Sequence, residues 1–158
     1  MQARAGRPRR TLKQRAIALL ARREYARAEL AQRLVTTGAE RSEVDAVLDE
    51  LCAAGLVSDA RFASALVHRK ARDFSRHAIA QALREKGVPA DDANEALAEL
   101  DGAGELARAQ ALWYRRFGRP AADEREKARQ LRFLLSRGYS HAIAFRVLKQ
   151  AGSDANDR

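Results

Sequence analysis

The chain is poor in the residues that staple, pleat or span. A single cysteine, Cys52, rules out an internal disulfide and a multi-cysteine zinc site, and it suits a reducing compartment. Val and Ile together number 10, against 18 Leu and 34 Ala. Ala and Leu lose little on entering a helix, and strands draw on β-branched residues, so this balance argues against a sandwich, a barrel or a doubly wound sheet. No apolar run approaches the roughly 18 residues of a membrane span. Arg4, Arg7, Arg9 and Arg10 make the N-terminus basic, but no secretory apolar core follows them, and the charge runs straight into an amphipathic segment. The expectation is a soluble cytoplasmic protein. His68, His77 and His141 show no pairing at metal-ligand spacing, and there is no phosphate-binding glycine loop or nucleophile elbow. Asp91 and Asp92 are adjacent carboxylates at a helix start, where they serve the helix dipole. No catalytic residue, metal ligand or cofactor is therefore assigned.

What the chain does have is repetition. LAQRLVTTGAE at 30–40, IAQALREKGVP at 79–89 and QLRFLLSRGYS at 130–140 align on Gly38, Gly87 and Gly138, which lie 49 and 51 residues apart. Four residues before each glycine stands a leucine (Leu34, Leu83, Leu134), and ten after it another (Leu48, Leu97, Leu148). A fixed period near 50 marks a repeat architecture. At 158 residues the chain holds one ordinary domain or a short array of small units, and its larger apolar residues are spread along it. Several small cores follow, and the fold expected is all-α, three tandem three-helix repeats. The boundaries expected are a flexible basic arm at 1–11, repeats at 12–58, 59–101 and 102–151, and a frayed polar tail at 152–158.

Within repeat one, helices are expected near 12–23, 27–37 and 41–54. Leu30 and Leu34 lie one turn apart, and Val44, Val47, Leu48 and Leu51 form a buried stripe beside Cys52. Gly38 stops the second helix and Ser42 caps or begins the third. In repeat two, Ser58 caps a helix over 59–73 with Phe62, Leu66 and Val67 inward. Ser75 caps a second that buries Ile79 and Leu83, and Pro89 sits in the first turn of a third that buries Leu97 and Leu100. In repeat three, Leu106, Ala109, Trp113 and Phe117 share a stripe. A helix near 124–137 buries Leu131, Leu134 and either Phe133 or Leu135, and the last buries Phe145 and Leu148.

Charge is concentrated at the ends. The net charge is +9, with net +7 on residues 1–24, −3 on 25–58, −1 on 59–101 and +6 on 102–158. Arg outnumbers Lys 25 to 5, and its planar fork suits bidentate contact to phosphate or carboxylate. Two basic ends point to a polyanion or an acidic protein surface as partner. Arg69, Lys70, Arg72, Arg76, Arg84 and Lys86 make one candidate basic edge, with a solvated mixed surface as the alternative. Arg115, Arg116, Arg119, Lys127, Arg132 and Arg137 make the other. Trp113, Tyr114 and Phe117 beside these arginines invite base stacking, or they are simply core at helical spacing.

GLVSDARFASALV at 55–67, IAQALREKGV at 79–88 and QLRFLLSRGY at 130–139 resemble the RecX family of bacterial regulators of the RecA recombinase, over about residues 12–151. Ala26 stands where the family often has a capping Ser, Asp73 and Ser75 where Gly is common, and Ala78 where a basic residue is common. The resemblance implies an elongated, curved array acting as a monomer without catalysis. It implies binding in the groove of the RecA–DNA filament, with inhibition of RecA's ATPase, strand exchange and coprotease activities. Single- or double-stranded DNA is a further expected contact. A helix-turn-helix DNA-binding protein is the alternative, because short helices joined at a glycine are common to both.

Overall fold

The computed structural model describes residues 9–100 and 104–156, so residues 1–8 of the basic arm and Asp101 lie outside the described residues. The described residues form helices and no strand. They fall into three triplets: α1 Leu12–Leu20, α2 Arg27–Thr36 and α3 Arg41–Ala53; α4 Asp59–Lys70, α5 Arg76–Glu85 and α6 Ala90–Ala98; α7 Glu105–Arg116, α8 Glu124–Ser136 and α9 His141–Asn156. The all-α tandem repeat is thus as expected.

Each triplet closes its own small core. Leu30, Leu34, Val44, Leu48 and Leu51 bury together with Tyr25 in the first. Phe62, Leu66, Val67, Ile79, Leu83 and Leu97 do so in the second, and Leu112, Trp113, Leu134, Tyr139 and Val147 in the third. Ala26, at the start of α2, packs into the second core rather than its own and so binds one unit to the next. Local chemistry sets the helix ends. Thr11 and Gln14 form a capping box on α1. Ser58, Ser75 and Asp123 cap α4, α5 and α8 through their side chains. Gly87 takes φ +73° and Gly138 φ +90°, which lets the next amide (Val88, Tyr139) donate back to Leu83 and Leu134 in a Schellman turn.

Several expectations need correction. Ser42 does not cap α3, because the helix already begins at Arg41 with Glu40 at the cap position. Pro89 is the cap residue of α6, one place before its first turn. The first helix ends at Leu20 rather than 23, where Arg23 stacks on Tyr25 at 3.7 Å and the chain turns to bury that ring. The fourth ends at Lys70 rather than 73, and beyond it the carbonyls of Arg72 and Phe74 accept from guanidinium groups of the next unit. Phe145 is 49% exposed. The buried face of α9 runs through Ala144 and Val147, one residue out of phase with it, and Phe145 stacks on His141 instead. Leu131 is only half-buried, while Gln130 beside it is 1% exposed. Finally, α9 continues past Gly152 to Asn156, so residues 152–156 are helical rather than frayed.

Candidate partner-binding surface

The first question is which cations are free, since a guanidinium already held by the fold cannot be offered to a partner. Six of the twelve expected residues have partners in the fold, Arg119 with Glu126 and Lys127 with Glu124 among them. Arg76 gives its amide to Glu105 Oε1 at 3.0 Å and its guanidinium to the Leu97 carbonyl at 2.7 Å. Lys86 reaches Glu29 Oε1 at 2.9 Å, an oxygen that also accepts from Arg23 at 2.8 Å. Arg115 donates to the Arg72 carbonyl at 2.8 Å and to Asp73 Oδ1 at 3.0 Å. Arg84 donates to Gln81 at 2.7 Å. The basic edge expected on the second unit is therefore divided between structure and surface.

Lys86, Arg76 and Arg115 belong to two joints built alike, whereas the Arg84 bond lies within α5. In the first, Asp59 at the head of α4 accepts from the Arg27 amide at 2.9 Å, and the Gly87 turn closes on Ala28. In the second, Glu105 at the head of α7 accepts from the Arg76 amide, and the Gly138 turn closes on Ser75 and Ala78. An acid from the following unit thus caps the second helix of the preceding one. This completes α2, whose own cap residue, Ala26, makes no side-chain bond. Burial penalises the Glu29 carboxylate, but hydrogen bonds from Arg23 and Lys86 outweigh it and hold the group below the usual carboxylate range. At the second joint, burial pushes the Tyr139 hydroxyl above its ordinary value against the opposing charge of Arg108.

The other expected cations gather on the second and third units. Lys70 and Arg137 lie over the Phe74 ring at 4.6 and 5.1 Å. Arg137 and Arg116 lie over Phe133, and Arg116 also over Phe117, at 5.1, 5.9 and 5.2 Å. This band, Lys70–Arg137–Arg116, crosses from α4 to α7 and leaves the ammonium and guanidinium charges without carboxylate partners among the described residues. Arg69 and the Arg72 side chain are exposed beside it. Trp113 belongs to the core, 7% exposed, with its indole N–H on Gln130 at 2.8 Å, whereas Tyr114 is 69% exposed. Arg119 and Arg132 line a cleft of about 470 Å³ with Arg125 and Arg129, and Lys127 pairs with Glu124 at 3.7 Å. Sequence reasoning missed Arg125 and Arg129. The signal was present in the i, i+4, i+7 spacing of Arg125, Arg129 and Arg132 along α8.

Comparison with known proteins decides the family. Models of the RecX first, second and third three-helix domains match residues 13–51, 58–97 and 103–148. The chain belongs to the RecX family. Among curated RecX relatives, the regulatory protein RecX of Leptothrix cholodnii is 48% identical over 147 residues, covering 93% of each chain. That of Ralstonia nicotianae is 42% identical over 92% of this chain and 89% of its own. The crystal structure of RecX from Lactobacillus salivarius superposes with a TM-score of 0.68 at 17% identity, over 89% of this chain and 94% of that one. A second crystal structure, of regulatory protein RecX, gives 0.71 at 20% identity over 86% and 70%. At these identities the two structures speak for the RecX fold alone. No helix among the described residues is long and apolar enough to cross a membrane.

Proposed function

We propose that this RecX-family chain is a non-enzymatic cytoplasmic regulator that acts as a monomer on the RecA–DNA filament and lowers RecA's ATPase, strand-exchange and coprotease activities. The observation that carries the reading is that all three RecX units are matched in order along the chain, with relatives named as regulatory proteins. The structure supports it physically. A row of small units presents a long surface suited to a partner that is itself a polymer. The Lys70–Arg137–Arg116 band, with exposed Arg69 and Arg72, offers cations to acidic protein surface or to DNA phosphates along that length. The helix-turn-helix alternative fits less well, because the helices that follow the glycine turns, α3 and α6, carry Glu43 and the pair Asp91 and Asp92 in their first turns, where DNA phosphates would repel them.

The test is RecA ATPase on single-stranded DNA titrated with this protein. The rate should fall in a saturable way, and the triple reversal Arg69→Glu, Lys70→Glu, Arg72→Glu should weaken inhibition while altering stability by only about 0.5 kcal/mol per site. An unchanged ATPase rate at excess protein would overturn the proposal. Full inhibition by a normally folded triple variant would move the contact away from this edge.

A further inference from the structure

The two joints show what the leading end of each second helix is for, and the third unit departs from them. With the glycines as common origin, the residue nine places earlier is Glu29, Ala78 and Arg129, and the one six places earlier is Gln32, Gln81 and Arg132. The amides that receive an acid from the next unit are those of Arg27 and Arg76, and their counterpart is Lys127. In α8, however, the helix begins three residues further back. The Lys127 amide is already bonded to the Asp123 carbonyl at 3.0 Å, and Asp123 Oδ1 caps the Glu126 amide at 2.7 Å. The start of α8 therefore offers no free amide at the position where α2 and α5 receive an acid from the next unit.

That end is nonetheless a cleft of about 470 Å³ lined by Arg119, Arg125, Arg129 and Arg132 with only Asp123 and Glu126 opposing them. Glu126 Oε1 is shared by Arg119 and Arg129 at 3.6 Å each, while its other oxygen accepts the Ala122 amide. Arg125 and Arg132 have no partner among the described residues. The cation surplus is open to solvent and unmatched among the described residues.

We propose that this arginine-lined cleft docks an acidic segment of a partner protein. At both internal joints a carboxylate of the following unit, Asp59 or Glu105, meets the start of the second helix through a backbone amide; here that amide is taken, and an acid would meet the arginine side chains instead. A single-stranded nucleic acid would want free aromatic faces for its bases, but Phe117 and Phe133 pack edge to face at 5.4 Å and carry Arg116, Arg129 and Arg137 on their faces. A second copy stacked end to end would bring α1, whose first turn holds Lys13 and no acid, so like charges would meet. The inference does not depend on the partner being a recombinase filament.

The experiment is fluorescence anisotropy of the full chain with a labelled oligoglutamate peptide, and separately with labelled oligothymidylate of the same length. The peptide should bind saturably and more tightly than the oligonucleotide. Arg125→Glu with Arg132→Glu should weaken peptide binding about tenfold or more. The same charge change on the first unit, Arg9→Glu with Arg22→Glu, should leave it within about twofold. Matching melting curves for the two variants would show that the loss is not unfolding, and Arg125→Ala with Arg132→Ala serves if the reversal does not fold. Absence of saturable peptide binding, equal losses in both variants, or oligothymidylate binding as tight as the peptide's would each overturn the proposal.

Discussion

Gly38 and Gly138 share a backbone φ of +90°, and their surroundings differ completely. A methyl group on Gly38 would meet nothing within 4 Å, whereas on Gly138 it would lie 2.5 Å from Ser75 Oγ and 2.6 Å from the Ala78 side chain. Gly38→Ala should therefore cost only the left-handed backbone penalty, about 1–2 kcal/mol. Gly138→Ala should cost that and a further 1–3 kcal/mol or so from overlap at the joint. Urea unfolding of the two variants measures the difference, and equal losses would mean that the joint yields without resistance. The need for glycine was legible in the sequence, because three helices had to stop at the same place. What each glycine touches was not, because Ser75 and Ala78 lie some 60 residues away along the chain. Phe145 shows the same limit from the other side. Its size and apolarity suggested core, but α9 approaches its neighbours through Ala144 and Val147, and Phe145 falls on the outward side.

At the scale of the element, the helices were readable because their determinants are local. Periodic leucines, side-chain caps at Ser58 and Ser75, and a terminating glycine all act within a few residues. The start of α2 is the exception. Ala26 cannot cap it, and the missing acceptor comes from Asp59, 32 residues further on. Replacing Asp59 with Ala should destabilise the protein by about 1 kcal/mol and expose the Arg27 amide to faster hydrogen exchange. Asp59→Asn, which keeps an acceptor oxygen, should preserve much of that protection. If Arg27 exchanges no faster in the alanine variant, the cross-unit cap contributes nothing. The Lys127 amide, bonded inside the longer α8, serves as the internal reference.

For the whole molecule, three small cores in a row leave more surface than one core would. Small-angle scattering should give a radius of gyration clearly above the roughly 15 Å of a compact chain of this length. A value at the compact figure would contradict a row of separate units. The period of 49 and 51 residues already pointed to such a row. The distribution of charge did so less fully for the binding surface, because a count of arginines does not say which are engaged. Arg76 and Arg115 are held by carbonyls and carboxylates of the adjoining unit or their own, whereas Arg116 and Arg137 rest on aromatic rings with their charge unmatched.

The sequence by itself determined the helices, their order in threes and the three cores, because capping, helical periodicity and chain reversal at a glycine are settled among near neighbours. Only the tertiary structure decided how one unit sits on the next and therefore which cations are left for a partner. Those pairings, Lys86 with Glu29 and Arg115 with Asp73, join residues 57 and 42 apart. Nothing in either residue's local sequence favours one distant carboxylate over another. The choice is made when Ala26 packs into the second core and the Gly138 turn closes on Ser75, because only then are the charges brought within a hydrogen bond of each other.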